Sequence, residues 1–458
     1  MEDEVRAAAV FGWIRTHPLM SIISIGLLVR AVVAVLFTYC YDVSTWATVI
    51  ANMQAGAGLF ELPGYYYTPV WGYFISFIGM VGNFLFGIDV FGTQIDSLVP
   101  IQGVAWDYYK VLITYNSFNV LFKVAFTLVD LAVSYLLYRI VHSLTGDSTK
   151  AAVAFGLWFL CPLVVYTSCV QAMFDSISVL FMVLTVYMLL NRNYLLAGMS
   201  FSAAAFSKFF PAYLIFIFLA YVIASNRGNR RECAVSVASS VIGASVMLLV
   251  IFIPDILNGT LEESFGFIFN RIESIEGESD GIWDAISSNG YTVVLLLQPA
   301  VFLIQVVLAY YLQKSDPDGL DRRFIGYCLL GSAAVFLWTP VPSYLLIVVP
   351  FLICHFLVSD RRYRYSLVAM FAIPVAYALV LQNYGILFQA DAFLGIVSSE
   401  TIVGGIEWLN QVNVLGMTNQ SALNLVFGAL ETLAIYSVFI TYISIRRADR
   451  GSGANGAS

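Results

Sequence analysis

Three ionisable side chains stand beside long apolar runs: Asp42 in Tyr39-Cys40-Tyr41-Asp42-Val43-Ser44, Asp175 in Gln171-Ala172-Met173-Phe174-Asp175-Ser176, and Lys208 in Ser207-Lys208-Phe209-Phe210-Pro211. Ionisable groups at membrane depth are costly, so they tend to face a cavity and mark a site. A carboxylate and an ammonium at one boundary offer a general base and a cation for an anionic group. The run Gly64-Tyr65-Tyr66-Tyr67-Thr68-Pro69-Val70-Trp71 adds flat aromatic faces and a proline suited to starting a helix. Plainer readings stand beside these. Either aspartate can cap a helix, Lys208 can snorkel to the interface, and the tyrosines can form an interfacial belt. Asp130 reads as structural, either a helix-packing hydrogen bonder or a partner of Lys123 on one helix face.

The elements that position these groups follow from composition. The chain has 458 residues, 60% hydrophobic and 11% charged, with mean hydropathy +0.83. Soluble domains carry roughly 25% charged residues, so the chain reads as an all-α polytopic membrane protein. A net charge of −7 with no basic face gives no footing for a nucleic-acid partner. The cysteines Cys40, Cys161, Cys169, Cys233, Cys328 and Cys354 lie in or at the ends of apolar segments and read as small membrane residues. The acidic N-terminus lacks cleavable-signal architecture, so the first apolar stretch is expected to be a retained helix.

Apolar runs near 19–40, 119–141, 151–168, 176–191, 234–254, 292–313, 325–340, 344–358, 366–383 and 425–445 suit spans of ~20 residues. The run 194–225 is too long for one, and Lys208 to Pro211 split it into two short helices. About twelve spans result, with both termini on one side. Placing that side inside collects Arg6, Arg15, Arg139, Lys150, Arg192, Arg227, Arg230, Arg231, Lys314, Arg322, Arg323, Arg361, Arg362 and Arg364 there, with Arg446, Arg447 and Arg450 of the tail. Lys110, Lys123, Lys208 and Arg271 are left outside, as the positive-inside rule expects. Treating 69–87 as a full span would invert the 139–150 loop, so 69–87 is expected to be an external surface helix. The whole chain, 1–458, then forms one transmembrane domain. Its external segments are 41–117, 255–291 and 384–424, its tail 446–458 is cytoplasmic, and the chemistry lies on the long-loop face.

Taken in order, these features resemble the GT-C glycosyltransferases that use polyprenyl-phosphate sugars, and most of all the mannosyltransferases related to the catalytic subunit of GPI mannosyltransferase I. The residues carrying the resemblance are Asp42, then Tyr66-Tyr67-Thr68-Pro69, Lys123, Asp130-Leu131 and Tyr135-Leu136-Leu137-Tyr138-Arg139. Trp158-Phe159-Leu160-Cys161-Pro162, Asp175-Ser176, Ala197-Gly198 and Lys208-Phe209-Phe210-Pro211 follow, with an echo at Ser343-Tyr344-Leu345-Leu346. The chain departs from the family at Asp42-Val43-Ser44, where a second carboxylate is usual, and lacks Arg-Gly-Asn before Asp175.

On this reading Asp42 is the catalytic base of an inverting transfer. Lys208 contacts the phosphate, with Arg271 in reserve. Asp175 binds acceptor or sugar hydroxyls, and Tyr66, Tyr67 and Trp71 pack against sugar or lipid. Gln171 and Tyr344 complete the expected substrate-binding set. No cofactor is expected, and the missing second carboxylate leaves a divalent metal unsupported. The resemblance implies a polyprenyl-phosphate-linked mannose as donor and a glycolipid or glycan as acceptor. The protein would sit among membrane lipid in a cell membrane, or in the endoplasmic reticulum membrane of a eukaryote. A multi-pass transporter or lipid flippase is the alternative, since broken helices with a buried lysine also suit gating; a non-catalytic assembly subunit is a third.

Overall fold

The structure, a computed structural model, describes residues 16–61, 65, 67–87, 95–97, 111–113, 115–266, 290–336, 341–359, 363–382 and 385–454. Tyr66 and Arg271 lie outside the described residues. Helices α1 (Pro18–Leu36), α2 (Cys40–Gln54) and α3 (Pro69–Phe86) come first. A short antiparallel pair follows, β1 (Ile95–Ser97) with β2 (Val111–Ile113), in a loop where the sequence predicts only surface helices. Next come α4 (Asn116–Thr145), α5 (Ser148–Phe159), α6 (Pro162–Tyr166), α7 (Asp175–Leu190), α8 (Tyr194–Ser207), α9 (Ile215–Ser225) and α10 (Arg230–Asn258). The chain continues through α11 (Gly290–Gln313), α12 (Leu320–Val335), α13 (Val349–Val358), α14 (Arg364–Leu381), α15 (Phe388–Leu394), α16 (Ser399–Asn410) and α17 (Asn419–Ala454), with a small hairpin before α17.

The helices are apolar on the outside as well as inside. Leu28 on α1 (68% exposed), Leu303 on α11 (64%) and Val368 on α14 (66%) face outward. In water such faces would be a standing penalty; in lipid they are the natural solvent. Among the described residues, six helices are long and apolar enough to cross a membrane, and shorter apolar helices such as Asp175–Leu190 and Tyr194–Ser207 join them. The chain is an all-α multi-pass membrane protein.

The predicted break at Lys208 is present: α8 stops at Ser207, and a 3-10 turn, Phe210–Leu214, precedes α9. Pro211 lacks an amide hydrogen and restricts the residue before it, which stops the helix there. The expected span 151–168 is itself divided. α5 ends at Phe159 and Pro162 restarts the chain as α6, which runs into a π turn, Thr167–Gln171.

The ends of the bundle are chemically distinct. At one end Arg192 meets Asp321 at 3.5 Å, Arg322 donates to the Leu144 carbonyl, and Arg227 donates to the Ser315 carbonyl. Four basic loops predicted on one side therefore meet. At the other end Thr68 donates to the Ser207 carbonyl and Tyr73 to Asp255. α3 packs on the first third of α4: Trp71 and Phe74 against Phe126, Trp71 also against Phe122, and Gly82 against Leu121. It lies at the Lys208 end of the bundle, where Thr68 meets Ser207.

Among the described residues, two large cores hold this arrangement, with a smaller one around Tyr166, Val170, Ala378 and Ile386. The larger joins α4, α5, α7, α8, α9, α12 and α13 through Leu137, Trp158, Val183, Tyr221, Phe324 and Leu352. The second, at the Lys208 end, is aromatic: Trp46, Trp71, Phe118, Phe122, Phe126 and Phe174.

Candidate functional site

Asp175 is the first residue of α7, and Lys208 caps the end of α8. The two helices form an antiparallel hairpin of nearly equal arms, 16 and 14 residues, which returns Lys208 to the level of Asp175. Lys208 Nζ donates to Asp175 Oδ1. The side chains are 11% and 1% exposed, so this ion pair is desolvated. Its cation lies 3.8 Å from the Tyr344 ring centroid, 5.2 Å from Phe174 and 5.8 Å from Phe210. The quadrupoles of three rings thus attract the ammonium. The second carboxylate oxygen, Asp175 Oδ2, is buried without a hydrogen-bond partner among the described residues.

The turn before Asp175 is strained. The π turn ends at Ala172, a non-glycine residue at φ 53°, and Met173 N donates back to the Thr167 carbonyl at 3.0 Å. A left-handed alanine costs about 1–2 kcal/mol, and such turns occur disproportionately at functional sites. Gln171 lies on this turn, and its buried Oε1 also lacks a partner among the described residues. Two orphaned acceptors within one short segment are suited to ligand hydroxyls.

Asp42 reaches the same place from α1 and α2. The link between those helices is fixed by Lys123, whose Nζ donates to the Ala34 carbonyl at 2.8 Å, the Phe37 carbonyl at 2.6 Å, and the Thr38 hydroxyl. Tyr39 N donates to the Val170 carbonyl at 2.8 Å, which ties the start of α2 to the strained turn. Asp42 then sits in the first turn of α2, half-buried, where a carboxylate complements the helix dipole. Burial pushes its carboxyl up to about 7, the nearby Asp175 carboxylate pushes the same way, and the Lys208 ammonium pulls it back. The three ionisable groups therefore form one electrostatic unit.

The aromatic wall is the tyrosine segment. Tyr65 donates its hydroxyl to the Thr68 carbonyl and accepts from Gly72 N at 2.8 Å, closing the segment on itself. Thr68 then fastens it to the Ser207 carbonyl beside Lys208, at 2.9 Å. Tyr67 is half-exposed, with its ring 5.3 Å from Phe174 and 5.0 Å from Trp46.

Several sequence expectations are changed by these contacts. Trp71 is 1% exposed, stacked on Phe174 at 4.7 Å and edge-on to Trp46. Its ring packs against five other aromatics and backs the wall. Lys123 does not pair with Asp130. Asp130 binds Arg30 at 3.1 Å, and Arg30 also donates to the Phe159 carbonyl. That places Lys123 and Asp130 in structural roles, holding α1 against α4 and α5. Nothing in the residue pattern marked Phe174 and Phe210 as ring partners of Lys208. The π turn had a faint signal only, in the pairing of Gln171 with Asp175 after an apolar run. Among the described residues no three His, Cys, Asp or Glu side chains converge as a metal site requires.

A family model for the GPI transamidase subunit PIG-U matches residues 99–275. That stretch includes Asp130, Asp175 and Lys208 but neither Asp42 nor Tyr344. Comparison with curated proteins gives no match. Among solved structures, the chain is similar to the crystal structure of ArnT from Cupriavidus metallidurans bound to undecaprenyl phosphate. The two are 13% identical over 96% of this chain and 79% of that one, with a TM-score of 0.47.

Proposed function

We propose that the protein is a GT-C-type membrane glycosyltransferase moving a sugar, mannose by the sequence resemblance, from a polyprenyl-phosphate donor to a hydroxyl acceptor. The observation that carries this reading is the convergence of Asp42 on the Asp175–Lys208 pair within an aromatic wall at one end of the bundle. A carboxyl with its pKa near 7 is poised to accept a proton at neutral pH. Asp42 takes the acceptor hydroxyl's proton as that oxygen bonds to the anomeric carbon. The bond from that carbon to the phosphate oxygen breaks, and the electron pair leaves with the lipid phosphate. Lys208 neutralises the departing phosphate while Asp175 releases part of its hold on the ammonium. Asp175 Oδ2 and Gln171 Oε1 accept from sugar or acceptor hydroxyls, and Tyr67 and Tyr344 offer ring faces. One base and one displacement give inversion. The termini and the basic loops then face the cytoplasm, and the site faces the opposite side.

The match to a GPI transamidase subunit favours a second reading, in which the chain is a subunit of a membrane transamidase and the site holds a glycolipid without transforming it. The matched residues include the ion pair and leave out Asp42. Purified protein given a labelled polyprenyl-phosphate mannose and a short glycolipid acceptor separates the two. Transfer that disappears in Asp42→Asn but survives in the control Asp391→Asn, at a carboxylate of α15, supports the enzyme. Binding of glycolipid with no transfer, unchanged by Asp42→Asn, supports the subunit and ends the catalytic reading.

A further inference from the structure

The end of the bundle away from Asp42 carries a cavity of about 680 Å³ between the last turn of α9, the first turn of α10 and the last turn of α11. Arg227, Arg230 and Lys314 line it, and no carboxylate does. Its remaining lining is largely small or apolar, including Ile223, Ala224 and Ala234. We infer that this cleft binds the phosphate headgroup of an anionic membrane phospholipid. All three elements reach the cleft at their ends, the level at which a bundle crossing a bilayer meets headgroups. The flanks continue as lipid-exposed surface: Val235, Val241 and Ile242 on α10, and Val306, Val307 and Tyr310 on α11.

Three cations with no carboxylate among the described lining residues favour an anion, and the apolar flanks favour one attached to acyl chains. A soluble phosphate ester would gain nothing from those exposed apolar flanks, and an acidic protein segment would gain little from them. Arg227 is already oriented, since it donates to the Ser315 carbonyl, and Lys314 lies 5.8 Å from the Tyr310 ring centroid. Both leave donors for phosphate oxygens, Arg227 in a planar fork and Lys314 as a point charge. The volume lies within the range of ~300–1,000 Å³ usual for ligand sites. The inference is independent of sugar transfer, because the cleft and Lys208 are at opposite ends of α9.

The test uses the full chain in neutral detergent, titrated with phosphatidylglycerol, phosphatidylcholine or soluble glycerol phosphate, with native mass spectrometry and thermal unfolding as readouts. Wild type should retain one phosphatidylglycerol and gain thermal stability, with a far smaller response to phosphatidylcholine. Each charge-removing substitution among Arg227→Gln, Arg230→Gln and Lys314→Gln should weaken phosphatidylglycerol binding about fivefold, from about 1 kcal/mol per basic side chain. Arg227→Lys, which keeps its charge, controls for folding and should bind phosphatidylglycerol more tightly than Arg227→Gln. Equal responses to the two phospholipids, an undiminished response in the single variants, or an equal response to glycerol phosphate would each overturn the assignment. So would capture of an acidic peptide in competition with phosphatidylglycerol at equal affinity.

Discussion

Lys208 and Asp175 close one antiparallel hairpin from its two ends, the carboxylate opening α7 and the ammonium ending α8. A buried pair of this kind gives little net stability over an apolar replacement, because both charges lose their water. Breaking it from one side is another matter. Lys208→Met leaves the Asp175 carboxylate buried beside Asp42, and we expect a loss of about 3–5 kcal/mol. The double variant Lys208→Met, Asp175→Asn should recover most of that loss in thermal unfolding while remaining inactive in sugar transfer. A double variant as unstable as the single one would show that the pair is not the unit described.

The pH dependence follows from Asp42. Its carboxyl moves from an ordinary 3.8 to about 7, so transfer should rise with pH through about 7 and then level off. Lys208→Arg, which keeps the charge, should leave the midpoint near that value. Asp175→Asn removes the neighbouring negative charge and should lower it. A midpoint that rises in Asp175→Asn would contradict the coupling.

The same shift has a sign for stability. Between the ordinary carboxylate range and about 7, the folded protein holds a proton at Asp42 that the unfolded chain has lost. Stability at this residue therefore falls as pH rises through that window, and is unaffected below it. Asp42→Asn should flatten this part of the unfolding profile. A wild-type curve that rises over the window and is unaltered by the substitution would remove Asp42 as its source.

α8 and α10 touch backbone to backbone. A Cβ added at Gly198 would lie 1.9 Å from the Ser240 carbonyl oxygen, and one at Gly243 would lie 2.0 Å from that of Leu195. Small residues permit this approach, as they do wherever membrane helices pack closely. Gly198→Ala should cost about 1–3 kcal/mol by forcing the helices apart. It should also loosen Lys208 at the end of α8, raising KM for the lipid donor more than it lowers kcat. Wild-type unfolding in the Gly198→Ala protein would show that the contact is not as tight as described.

Trp71 offers a contrast between support and contact. Trp71→Ala should cost about 3–5 kcal/mol, the usual range for a large buried aromatic. Trp71→Phe should keep donor affinity near wild type. A large rise in donor KM for the phenylalanine variant, with its stability intact, would return Trp71 to the ligand surface.

Local chemistry made much of this protein legible in its sequence. A chain with 60% hydrophobic residues has to be a membrane bundle, proline marks the break after Lys208, and basic residues gather at the loops that meet at one end. These are properties of segments and their solvent, and they follow from propensity and transfer energy alone. The pairing of Arg30 with Asp130, the use of Lys123 to cap the end of α1, and the retreat of Trp71 behind Phe174 were decided by tertiary structure. Each depends on which helix face meets which, and a pattern along one helix carries no record of its neighbour. The order of residues supplied charges at the right depth; packing chose their partners, because a buried charge takes the nearest opposite charge or carbonyl that the fold brings to it.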